Sequence, residues 1–113
     1  MVTPECNHST SGVLKNALDY LYAEWNNKAA GFVSYGLAGG ARAAEHLRLI
    51  CAELQMADVR QQVTLSLLTD FENYTIFKPG DHNAAHLDTL LEQVTAWSTA
   101  LAPLRTASTA PAT

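Results

Sequence analysis

No basic cluster occurs anywhere in this sequence. Lys and Arg together number 7 against 11 Asp and Glu, for a formal net charge of −4. That balance excludes nucleic-acid binding as a main role, because phosphate recognition needs a basic face. No apolar run approaches the ~20 residues of a membrane-spanning helix, so no membrane partner is expected. The opening residues lack the charged n-region and apolar h-region of a secretory signal, which makes the cytoplasm the expected compartment. Cysteine is scarce: Cys6 and Cys51 are the two present. In a reducing compartment both are expected as free thiols, with Cys51 a small core residue. Cys6 sits in a polar loop with no sign of an activated thiolate. What is there suits one small globular domain: 113 residues, 48% hydrophobic and 16% charged.

The chain alternates helices and strands. Residues 1–11 are polar and rich in turn formers. A helix is expected from Ser11 or Gly12 through Trp25, with Leu14, Ala17, Leu18, Leu21 and Trp25 at helical spacing. Asn26 to Lys28 ends it. Ala29 to Tyr35 reads as a buried strand of the kind covered on both faces. A small-residue turn follows, with Gly36, Gly39 and Gly40 free to take backbone angles closed to other residues. The next helix is expected over Ala41 to Gln55, with Arg42, Glu45, Arg48 and Glu53 on its wetter faces. Val59 to Leu68 alternates like a strand near a sheet edge. Thr69 to Asn83 is a long connection, of the kind that is functional or carries its own packing. A last helix is expected over Ala84 to Leu101, with Leu87, Leu90, Leu91, Val94, Trp97 and Leu101 on one face. Residues 102–113, rich in Pro, Thr, Ser and Ala, read as a disordered tail.

The resulting order is helix, strand, helix, strand, helix, an α/β pattern with parallel strands. Two strands are too few for three amphipathic helices. The expected architecture is therefore the C-terminal part of a doubly wound sheet, lacking the first strands. On that reading Phe32 and Val33 lie on an unpaired edge, a hazard for association. The glycine turn lies where ligands bind in open α/β sheets, beyond the carboxyl end of a strand. It has two readings: a ligand contact or a tight connection. It carries no Gly-Lys-Ser/Thr and is no phosphate loop.

Particular residues identify a family. Val2-Thr3-Pro4-Glu5-Cys6-Asn7-His8-Ser9, followed by Gly12-Val13-Leu14-Lys15-Asn16-Ala17-Leu18-Asp19, resembles the NADPH-dependent FMN reductase family. So does Ser34-Tyr35-Gly36 with Gly39-Gly40-Ala41-Arg42-Ala43, and the aromatic loop around Asp70 to Asn73 is also similar. The resemblance runs from Val2 to about Leu101. It implies a flavodoxin-like fold over residues 1–101, bound FMN, and electron transfer from NADPH or NADH to flavins, quinones or related acceptors. It also implies a homodimer or homotetramer, with Trp25 a candidate subunit contact. By the same resemblance, Pro4, Glu5, Cys6, Asn7, His8 and Ser9 from one loop and Tyr35, Gly36, Gly39 and Gly40 from the other are the cofactor-binding residues. No side-chain nucleophile is implied, because the hydride passes from nicotinamide to flavin. Cys6 departs from the family, which usually has Tyr there. The segment that holds the FMN phosphate in the family has no counterpart in these residues. The alternative to a reductase is a truncated, non-catalytic fragment acting as an interaction or assembly module.

Single residues sharpen these expectations. His82 and His86 are four apart, but no third ligand is evident and no metal is expected. His8 is a candidate polar wall of the pocket, and His46 a packing or interface residue. Glu5 is a candidate hydrogen-bond acceptor rather than a general base. Arg42 stands at a helix start, where the dipole disfavours a cation. It has four readings: contact with a carboxylate, a nucleotide phosphate or another subunit, or plain solvation.

Overall fold

The computed structural model describes residues 1–108. Three parallel strands form one sheet: β1 (Val2–Pro4), β2 (Ala29–Gly36) and β3 (Ala57–Ser66), in the order β1-β2-β3. Helices α1 (Gly12–Asp19) and α2 (Ala41–Glu53) connect them, and α3 (His82–Ser108) closes the chain. The expectation of a sheet lacking its first strand is corrected, because β1 is present and pairs with β2 in the register Val2↔Val33, Thr3↔Ser34, Pro4↔Tyr35. A three-residue strand is too short to show a period, which is why it escaped the sequence pattern. The expected edge at Phe32 and Val33 is corrected too. β2 is the central strand, and the outer edges belong to β1 and β3. The edge position read for β3 agrees with its burial, with Val59, Val63 and Leu65 inside and Arg60 exposed.

Parity along the strands sorts the core into two layers. Phe32 and Ala30 face α1 and α2, where they meet Leu18, Ala44, Leu47 and Cys51. Val33 and Tyr35 face the other way, with Val63, Leu65, Leu90, Val94 and Phe71. α3 sits close over β2 because residue 31 is Gly. A Cβ there would come within 2.9 Å of Val94 Cγ2 and 3.0 Å of Leu90 Cδ2. Burial pushes the Cys51 thiol up to about 11, which fits an unreactive core residue.

Other element boundaries differ from the sequence reading. α1 stops at Asp19, and a 3-10 turn over Ala23–Trp25 follows. The indole N–H of Trp25 donates to Leu18 O at 3.0 Å, satisfying a carbonyl at the helix end. Leu21 therefore leaves the expected stripe and is 42% exposed. α3 begins at His82, two residues before the expected start, and runs past Leu101 to Ser108 through Pro103. Arg105 anchors this stretch by donating to Asn27 O and Ser98 O, both at 3.0 Å. The part of the expected tail at residues 109–113 lies outside the described residues. On α3 only Leu90 of the expected stripe is fully buried, while Leu87, Leu91 and Trp97 are exposed. Among the described residues no helix is long and apolar enough to cross a membrane.

The long connection carries its own packing. Strands β4 (Phe71–Glu72) and β5 (Ile76–Phe77) form an antiparallel hairpin. The rings of Phe71 and Phe77 lie 5.3 Å apart, and Tyr35 stands 6.5 Å from Phe71. Asp70, 2% exposed, holds the hairpin to the sheet and to α3. Its carboxylate accepts from Ser66 N, Gly80 N, Thr69 Oγ1 and Asn83 Nδ2. The same Asn83 leaves its own Oδ1 buried without a partner. Hydrogen bonds, led by that from Gly80 N, hold the Asp70 carboxyl below its ordinary range. A depressed carboxyl pKa adds stability that is full above the unfolded value and is lost as pH falls through the folded one. Stability should thus decline as pH drops below about 4, and Asp70→Asn should flatten part of that decline. Urea unfolding across an acid pH series checks it; identical slopes for both proteins would reject the assignment.

Candidate functional site

Parallel pairing of β1 with β2 puts the loops after both strands at one end of the sheet. The first loop is built on a tight turn. Cys6 N donates to Ser9 O at 2.9 Å and Ser9 N to Cys6 O at 3.1 Å. Asn7 and His8 span the turn with φ of 48° and 73°. Two successive left-handed residues match a type I′ turn, and Asn tolerates that region better than most residues. The second loop turns on Gly39 and Gly40, at φ of 69° and 74°. Ser34 Oγ donates to Gly39 O at 3.0 Å and pins the turn against β2.

Of the ten residues expected at the site, Pro4, Tyr35 and Gly36 end strands β1 and β2 and the other seven lie on the two loops that follow, which Glu5 binds together. Its backbone N donates to Tyr35 O at 2.9 Å. Its carboxylate, only 7% exposed, faces α2. Oε1 accepts from the backbone N of Arg42 at 3.0 Å, and Oε2 accepts from Arg42 Nε at 2.8 Å and from Arg42 Nη2. Gly40, the N-cap of α2, has no side chain to cap with. Glu5 supplies the missing cap from another loop and places a negative charge where the helix dipole favours one. The hydrogen bond from Arg42 is the main cause that holds the Glu5 carboxyl below its ordinary value. This settles the cation at the helix start: of its four readings, Arg42 contacts a carboxylate. The anion expected at a helix start is here the protein's own.

Two further contacts join α2 to the first loop. His46 Nδ1 lies 2.7 Å from Ser9 Oγ, and Arg42 Nη1 lies 3.0 Å from His8 Nδ1. Arg48 was expected on a wetter face, yet it is mostly buried and ties α2 to β3. It donates to Asp58, Val59 O, Arg60 O and Gln62, and its guanidinium stands 5.2 Å from the Phe32 ring centroid. The helical spacing of α2 held no sign of that role. Cys6 is exposed at the loop. His82 and His86 stack edge to face at 5.6 Å, and no group of three metal-ligating side chains occurs among the described residues.

The donor set suits a heterocycle with carbonyl and ring-nitrogen acceptors. The backbone N–H groups of Leu37, Ala38 and Gly40, the Asn7 carboxamide and the Tyr35 hydroxyl have no hydrogen-bond partner among the described residues. The flavin ring of FMN fits these groups. Its phosphate does not fit at α2, where the Glu5 carboxylate already occupies the Arg42 amide and guanidinium. An apolar pocket of about 420 Å³ opens elsewhere, between the hairpin and α3, lined by Val33, Val63, Leu65, Phe77 and Leu87. None of the ten expected residues lines it.

The family described as NADPH-dependent FMN reductase matches residues 1–70, which carry both loops. The match stops short of Leu101, to which the sequence resemblance was expected to extend. An NAD(P)H-dependent FMN reductase of Schizosaccharomyces pombe is 37% identical over 89 residues, covering 79% of this chain and 44% of that protein. One of Saccharomyces cerevisiae is 44% identical over 55 residues, 49% of this chain and 29% of that protein. A 2-hydroxy-1,4-benzoquinone reductase of Burkholderia sp is 41% identical over 68 residues, 54% of this chain and 37% of that protein. The matched stretch thus covers less than half the length of each of these relatives. With the family match covering both loops and all three sheet strands, the chain belongs to the NADPH-dependent FMN reductase family.

Proposed function

We propose that residues 1–101 contribute the ring-binding part of a flavodoxin-like FMN site. The site would serve a cytoplasmic NAD(P)H-dependent oxidoreductase acting on flavins, quinones or similar acceptors. The observation that carries this reading is the junction of two loops at one sheet end, made by Glu5 and Arg42 within the family-matched stretch. FMN, when bound, supplies the two-electron chemistry between NADPH or NADH and the acceptor. The chain's own residues bind and orient. Leu37, Ala38 and Gly40 offer backbone N–H groups to the ring edge, and Asn7 offers its carboxamide. Pro4, Tyr35 and Gly36 form the floor, with Tyr35 backed by Phe71 to limit water. Cys6 provides less surface than the Tyr usual in the family. The quinone named for the Burkholderia relative supports that acceptor class. Exposed Val13, Tyr20 and Leu21 on and after α1 support a homodimer or homotetramer contact there. A second reading, a non-catalytic interaction or assembly module, is supported by the same exposed apolar residues Val13, Tyr20 and Leu21.

The test compares FMN with riboflavin, which has the same ring and no phosphate. With the Arg42 amide and guanidinium held by Glu5, the phosphate should add little. Affinities for this chain, read by flavin fluorescence, should agree within about threefold, under ~1 kcal/mol. FMN binding more than about tenfold tighter would defeat the ring-only reading. Absence of NADPH oxidation at saturating FMN would favour the assembly module.

A further inference from the structure

We propose that Arg42 is a positioning residue that fixes His8 as its Nε2–H tautomer. The loop after β1 would then present a neutral N–H donor to a carbonyl oxygen of the ligand. The inference rests on reading these loops as the ligand site.

A guanidinium has five N–H donors and no acceptor. Arg42 Nη1 lies 3.0 Å from His8 Nδ1, so Nδ1 must offer its lone pair. The ring proton then resides on Nε2. Arg42 is itself held fast. Its Nε and Nη2 engage Glu5 Oε2, and its backbone N engages Oε1. The planar fork lets one side chain grip a carboxylate on one side and an imidazole on the other, which the point charge of a lysine cannot copy. His8 is anchored from its backbone as well, because the Cys6–Ser9 bonds close the turn that holds it at φ of 73°. The neighbouring imidazole of His46, 6.1 Å away between ring centroids, is engaged with Ser9.

The resulting site chemistry is specific. Arg42's charge is already met by Glu5, and His8 is neutral, so the pair suits an uncharged acceptor better than a phosphate. Carbonyl oxygens of an isoalloxazine or of a quinone both qualify.

Long-range proton–nitrogen NMR of the imidazoles reads the tautomer directly. It is recorded on the whole chain, about two units above the ordinary histidine pKa of ~6.5. His8→Gln identifies the signals. In the wild type, His8 should be almost wholly Nε2–H. In Arg42→Gln and Arg42→Lys it should become a mixture of both tautomers, while His82 and His86 stay unchanged. An Nδ1–H tautomer in the wild type, or an unchanged ratio in both variants, would overturn the inference. Arg42→Lys keeps the charge and guards against a fold defect in Arg42→Gln.

Lumiflavin and duroquinone then separate the two carbonyl sources. A downfield shift of the His8 Nε2–H proton with lumiflavin assigns the isoalloxazine; a shift with duroquinone alone assigns the quinone. Lumiflavin that binds by fluorescence quenching without moving His8, with duroquinone equally silent, overturns the donor role and leaves the proposed function standing. Lumiflavin that fails to bind counts against the proposed function, whatever the tautomer.

Discussion

Replacing Phe32 with Ala should cost about 3–5 kcal/mol, the range for emptying a buried aromatic site. Phe32 is fully buried on the central strand, against the layer that holds Ala44, Leu47 and Cys51. Arg48 also covers its ring, so truncation removes a cation–π contact as well as packing. A domain of this size has only about 5–15 kcal/mol in total, so the variant should be near the limit of folding. With a urea dependence of ~2 kcal/mol/M, its midpoint should fall by roughly 2 M. Leu21→Ala is the control. Leu21 is 42% exposed after α1 and belongs to neither buried layer, so its truncation should shift the midpoint far less than Phe32→Ala does. Equal shifts for the two variants would contradict the layer assignment.

The second large effect is expected at Gly40. A Cβ there would lie 2.6 Å from Ser34 Cβ and 2.6 Å from Tyr35 N. A backbone nitrogen cannot rotate away, so either β2 or the turn must move. The left-handed φ of 74° adds its own cost, about 1–2 kcal/mol for an L side chain. Overpacking adds about 1–3 kcal/mol. Gly40→Ala should therefore lower the thermal midpoint by roughly 10–20 °C. It should also pull Arg42 away from Glu5, since the N-terminus of α2 starts at the displaced turn. Gly12→Ala makes the contrast. Nothing lies within 4 Å of a Cβ at Gly12, and it opens α1, so that change should be neutral or slightly stabilising. Differential scanning calorimetry of both variants reads the difference.

The sequence carried its long-period features well. β2, α2 and β3 are signalled by runs of seven or more residues, and the structure holds each of them within a few positions. Short or non-periodic features were less legible. β1 is three residues, and only its pairing with β2 makes it a strand. α1 ends early because Trp25 turns back to cap Leu18, a contact that helical spacing reads as one more apolar position. α3 continues past Leu101 because Arg105 reaches distant carbonyls. At the site, the two loops were legible as motifs, but their connection was not. Glu5 and Arg42 are 37 residues apart, and nothing local says that one caps the other's helix. The one local sign was a misfit, an arginine at a helix start without an acid beside it. Asp70 showed even less, since four donors from three segments converge on it only after folding.

The Cys6–Ser9 turn has a thermodynamic consequence for recognition. Its two left-handed residues cost free energy to form, and that cost falls during folding. Asn7 and His8 then project from a closed ring of main-chain bonds instead of a wandering loop. A ligand arriving at this end of the sheet meets groups whose freedom is already spent. Association at this end of the sheet would therefore cost little additional motion from the protein, which lowers the entropic penalty for a ligand with few contacts.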